Sequence, residues 1–172
     1  WLARLWRHHW QSERAAHQAV SDALAAQLAR RVGASERRHT GQICLCVEGA
    51  LPISYAWRAG RQAPLDTVVR QRAMAWFGRL RVWDTEHNNG VLIYILLADH
   101  AIEIVADRGI HAKVPGEYWA GVCIDIQKHF AKGEFLQGAK NSIHAVCKVL
   151  SEHFPHRGGD KNELPDYPII LG

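Results

Sequence analysis

The sequence predicts an α/β protein, a three-layer α/β/α sandwich with a mixed central sheet, and three observations carry that expectation. Residues 91–98, Val-Leu-Ile-Tyr-Ile-Leu-Leu-Ala, show no polar alternation, the pattern of a strand buried on both faces at the centre of a sheet. Residues 65–80 return to helical spacing through Val69, Ala73, Trp76, Phe77 and Leu80, between that strand and an earlier one at 41–48. A strand, a helix and a strand of these lengths imply a right-handed crossover and parallel strands. Residues 101–106 then follow after only Asp99-His100, a connection so short that it makes an antiparallel hairpin.

Each element has its own justification. Leu2, Leu5, Trp6 and Trp10, with basic residues between them, form one face of a short helix that suits packing on the domain, self-association or an interfacial membrane contact. Ser21 and Asp22 cap a second helix with the stripe Leu24, Leu28, Val32. The spacing changes to two at residues 41–48, a mostly buried first strand. Residues 49–64, with Pro52, Gly60 and Pro64, read as an irregular connection. After the hairpin, Pro115 opens a helix at an N1-like position, with the stripe Trp119, Val122, Cys123, Ile126, Phe130 and a stop at Gly133. A last helix runs through Leu136, Ala139, Ile143, Cys147, Leu150 and Phe154. The expected organisation is a helical segment at 1–35, the α/β/α domain at 36–155, and a mobile tail at 156–172 whose apolar end can dock.

Composition narrows the function classes. Twenty-one Lys and Arg against 17 Asp and Glu give a net charge of +4 without a basic run, so no nucleic-acid partner is expected. Four cysteines, at 44, 46, 123 and 147, lie on buried faces and read as free thiols rather than a disulfide frame. No apolar run approaches the ~20 residues of a membrane span and no signal-peptide layout opens the sequence, so a cytoplasmic or membrane-associated location is the expectation. There is no phosphate loop, nucleophile elbow, dinucleotide fingerprint or cysteine-phosphatase arginine, so any hydrolytic chemistry would be metal-dependent.

The topology gathers the candidate site. With strands one and two parallel and strand three antiparallel, one sheet edge collects His39, Thr40 and Gln42, the loop Asp84, Glu86, His87, Asn88, Asn89, and Asp107-Arg108. Carboxylate and amide oxygens of this kind suit calcium or magnesium, and Asp84, Glu86, Asn89 and Asp107 are the candidate ligands. The plainer reading makes Asp84, Asn88 and Asn89 turn residues, Gly90 a positive-φ glycine, and Asp107-Arg108 a self-satisfied pair. Glu103 is expected to face solvent, and His129, His144, His153 and His156 to lack a paired carboxylate.

Thr40-Gly41-Gln42-Ile43 entering a strand, Asn89-Gly90-Val91-Leu92-Ile93 opening the next, and the run Glu103-Ile104-Val105-Ala106-Asp107-Arg108-Gly109-Ile110 resemble the TPM-domain family over residues 36–155. The helix pair that includes Phe135 and Gly138 is similar to that family's ending. The resemblance implies an α/β/α domain of bacteria, plastids and some animal membrane proteins. It further implies metal binding and phosphatase activity in some members, and an accessory role in membrane complexes in others. Family members often have Glu after the Ser/Thr-Gly of strand one, where this chain has Gln42. Two functions are therefore expected: a divalent-metal-binding accessory or interaction module linked to a membrane or protein complex, or a metal-dependent phosphatase of low specificity.

Overall fold

The computed structural model describes residues 18–156, 158 and 161–171; the amphipathic stretch at 1–10 lies outside them. Helix α1 (Asp22–Glu36) begins at Ser21, whose hydroxyl accepts from the Leu24 amide, as the capping pattern predicts. Strand β1 (Gln42–Glu48) leads to a short helix α2 (Ile53–Arg58), then to α3 (Leu65–Arg79) and β2 (Gly90–Leu96). The hairpin partner β3 (Ala101–Ala106) is followed by one helical turn, α4 (Arg108–His111), then α5 (Gly116–Ala131), α6 (Phe135–His153) and a terminal strand β4 (Ile169–Leu171).

The sheet order is β3-β2-β1-β4. β1 runs parallel to β2 and to β4, while β2 and β3 are antiparallel. Every residue of β1 and β2 is buried, which is why neither strand alternates in sequence. The period of two sorts them between two cores. Ile43, Leu45, Val47, Val91, Ile93 and Ile95 meet α1, α5 and α6. Cys44, Cys46, Leu92, Tyr94 and Leu96 meet α2 and α3. Helices thus cover both faces, as expected for the three-layer sandwich.

Two expectations change, and a third takes definite form. The connection at 49–64 is not wholly irregular: Pro52 sits at the N-cap of α2, a helix too short and too closely bracketed by Pro and Gly to show a period. Pro115 is the N-cap of α5 rather than its first helical residue. The tail docks, with β4 extending the sheet beside Cys46–Glu48. Leu164 is buried in the α2–α3 core, Ile169 and Leu171 pack against that core, and Ile170 packs on the other.

Candidate functional site at the entry edge of the sheet

Register brings the three predicted segments together. Gln42 lies opposite Gly90, Val91 opposite Ala106, and the Asp107 amide donates to the Gly90 carbonyl at 2.9 Å. The loop before β2 is held from inside by Thr85, whose hydroxyl accepts from the Asn89 amide at 3.1 Å. Asn88, not Gly90, takes the positive φ, at 50°. Gly90 is required for a different reason: a Cβ there would strike the Val82 carbonyl. Gly109 has the same role across the site, where a Cβ would stand 2.5 Å from the Asn88 oxygen. These close backbone approaches bring the segments together more tightly than residues with side chains would permit.

Asn89 is fully buried; its Nδ2 donates to Thr40 Oγ1 at 3.1 Å, and its Oδ1 has no partner. Asp107 is 8% exposed; its Oδ1 accepts from the Arg108 amide at 2.7 Å, and its Oδ2 has no partner. Two buried acceptor oxygens with unused capacity therefore lie on facing segments of one edge. The self-satisfied Asp107-Arg108 pair does not form through the side chains: the Arg108 guanidinium donates from Nε to Asn88 Oδ1 at 2.8 Å.

The remaining predicted residues sit around this pair. Asp84 is exposed and ion-paired with Arg81, while Glu86 and His87 are exposed. His39 is buried between Ser35 Oγ, 2.8 Å from Nε2, and the Gly41 carbonyl, 3.0 Å from Nδ1. Burial, followed by the Arg38 and His156 charges, lowers its pKa to about 4, so it is a neutral structural imidazole at pH 7. Among the described residues no group of three or more His, Cys, Asp or Glu is arranged to hold a metal ion.

Sequence reasoning missed the tail's part in this edge. Gln42 Oε1 accepts from the Glu163 and Leu164 amides at 2.8 and 3.1 Å, and Nε2 donates to the Lys161 carbonyl at 3.3 Å. An amide both accepts and donates, which a carboxylate at position 42 could not do. Glu163 in turn accepts from the Glu86 amide at 3.2 Å. Farther along, Asp166 lies against Glu36, whose carboxyl also accepts from the Ile43 amide at 2.9 Å. Burial first, then Asp166, raises the Glu36 pKa to about 8. Two expectations about isolated charges also change. Glu103 is half-buried and paired with Arg70 at 3.1 Å, and His129 meets Glu134 at 2.6 Å across the end of α5.

Thr40-Gly41-Gln42, Asn89-Gly90 and Asp107-Arg108-Gly109 thus meet at one edge, and the family model for the TPM domain matches residues 15–149. The chain belongs to the TPM-domain family. Among solved structures, this TPM domain resembles the BA42 protein of the psychrophilic bacterium Bizionia argentinensis, with 27% identity and a TM-score of 0.72 over 87% of this chain and 94% of that one. The N-terminal domain of a P. gingivalis protein shares the fold at 23% identity and a TM-score of 0.54, over 80% and 82% of the two chains. No curated protein matches the chain. The strap formed by 161–171 lies beyond the residues the family model covers.

Proposed function

We propose that this TPM domain is a divalent-cation-binding accessory or interaction module that serves a membrane or protein complex, with calcium or magnesium as the ion. The supporting observation is the pair of buried, unpartnered oxygens, Asn89 Oδ1 and Asp107 Oδ2. Leaving an acceptor buried without a donor costs about 1–3 kcal/mol, and a hard cation removes that cost while taking oxygen ligands. Asn89 and Asp107 would each give one oxygen. Thr40 and Thr85 would hold the Asn89 carboxamide and backbone in place. Asp84 and Glu86, exposed on the same loop, would add attraction from outside. Calcium takes about six to eight oxygens, so water would complete the shell and the affinity would be modest.

Metal-dependent phosphatase action is the second reading, and a bound ion would supply its Lewis acid. It ranks lower because its nucleophile would have to be a water activated by that same ion, and the buried thiols offer no alternative. Burial raises the Cys44 and Cys123 thiols to about 12, leaving them un-ionised at neutral pH. Calcium or magnesium should raise the melting temperature of the wild type, and Asp107→Asn should abolish that rise. An unchanged response in the variant would overturn the ion site. Turnover of a generic phosphomonoester only when metal is present, lost in the same variant, would favour the phosphatase.

A further inference from the structure

One of the three layers carries most of the net charge. The segment 51–83, which forms the α2–α3 layer and the turn after it, holds six arginines, no lysine and a single acid, Asp66. Its balance is therefore +5, while the other 15 basic and 16 acidic residues leave the rest of the chain at −1. Arg70, Arg72 and Arg81 are taken up by Glu103, Glu48 and Asp84. Arg58, Arg61 and Arg79 lie over the aromatic rings of Tyr55, Trp57 and Trp76, at 5.6, 4.5 and 5.3 Å. The same layer exposes large apolar side chains: Ile53 is 65% exposed, Trp57 44% and Met74 47%. Ile53 and Trp57 are four apart on α2, and Arg58 reaches Gln71 on α3, one turn from Met74, so the two helices make one continuous face.

We propose that this α2–α3 face docks on an anionic lipid surface, with Ile53, Trp57 and Met74 in the acyl boundary and Arg58, Arg61 and Arg79 among the headgroups. Tryptophan and arginine side by side, with aliphatic residues between them, match a layer that is apolar on one side and anionic on the other. A nucleic acid would meet the positive charge, but it has no use for Ile53 and Met74, and the guanidinium groups already stack on the rings that bases would need. The inference rests on the membrane-linked half of the proposed function and is independent of the ion site.

The test is flotation of the full chain, in EDTA so that no ion bridges protein and lipid. The vesicles are phosphatidylcholine alone and phosphatidylcholine mixed with phosphatidylglycerol. Binding to the mixed vesicles alone, weakened by salt, is expected. Replacing Arg58, Arg61 and Arg79 with Gln should weaken it on the order of a hundredfold, and Ile53→Ser with Trp57→Ser should remove what persists at high salt. Circular dichroism and Tm verify that these surface variants fold. Equal binding to both vesicle types, no binding, or loss on deleting residues 1–10 with no effect of the six-residue face would each overturn the proposal. So would capture of single-stranded RNA by the same arginines without vesicle binding. Because Asp107→Asn should float like the wild type, failure here and failure of the ion site are separable.

Discussion

The two ends of the parallel strands each carry a buried polar cluster, and they are opposites. At the exit end Glu48, Arg72 and Tyr94 are buried at 1, 7 and 0% exposure. Arg72 donates to Glu48 from Nε at 2.9 Å and from a terminal nitrogen at 2.5 Å, and the Tyr94 hydroxyl donates to the same carboxylate at 2.5 Å. Burial alone would lower the Arg72 pKa, but the Glu48 carboxylate overrides it and the pKa is raised. Burial, then the Glu48 charge, drives the Tyr94 phenol upward. Both oxygens of the Glu48 carboxylate are matched. At the entry edge Asn89 and Asp107 each keep one oxygen unmatched. A saturated cluster has no capacity left for a ligand and specifies the packing; an unsaturated one holds the cost that a ligand relieves.

The largest effect should come from breaking the saturated cluster. Glu48→Gln leaves the Arg72 charge buried beside Tyr55 and Trp76, and should cost about 3–5 kcal/mol in urea unfolding. The double change Glu48→Leu with Arg72→Met should recover most of it. A cost near zero for the single variant would mean that the exit cluster is not closed.

At the entry edge the effect depends on the ion. With free calcium at about 100 times its dissociation constant, the wild type should gain about 2.7 kcal/mol, and Asp107→Asn should lose all of that gain while barely changing the apo protein. The calcium increment should survive Glu48→Gln, because distant sites add independently. An increment that falls equally in both variants would erase the contrast between the two ends.

Gly90→Ala should cost about 1–3 kcal/mol through the collision with the Val82 carbonyl. It should also weaken the calcium response by moving Asn89. A change in stability with an intact calcium response would separate the glycine from the site.

The smallest effect is a slope. Glu36 is raised to about 8, so the native state holds its proton more tightly than the unfolded chain. Its contribution to stability is complete below about 4.5 and is lost as pH rises through 8. His39 is lowered to about 4, so its contribution is present above about 6.5 and is lost as pH falls through 4. Between pH 6.5 and 8 the Glu36 slope is present and the His39 slope is not, so Glu36 should make stability fall with rising pH there. Glu36→Gln should flatten that limb in melts across this range; an unchanged slope would mean that burial does not raise the Glu36 carboxyl.

Sequence alone determined the layers and the meeting of the three segments. A doubly apolar strand has only one place in a sheet, and connection lengths fix whether neighbours run parallel or antiparallel; these are local properties, readable in order along the chain. Residues 101–106 illustrate this: the hairpin expected from Asp99-His100 is β3 at those positions. The same topology named Asn89 and Asp107. It could not tell which of their oxygens lack donors, or that Asp84 pairs with Arg81, because both depend on side-chain rotamers set by packing. Tyr94 and Glu48 read as parts of apolar strands, since nothing in sequence announces a partner on α3 some twenty residues away. Gln42 acquired its role only when the tail, more than a hundred residues later, laid three backbone groups against its amide. The +5 balance of residues 51–83 is countable in the sequence, but its place beside Ile53, Trp57 and Met74 on one layer is not. Sequence fixes where each arginine stands in the chain, and only folding decides which face the arginines share.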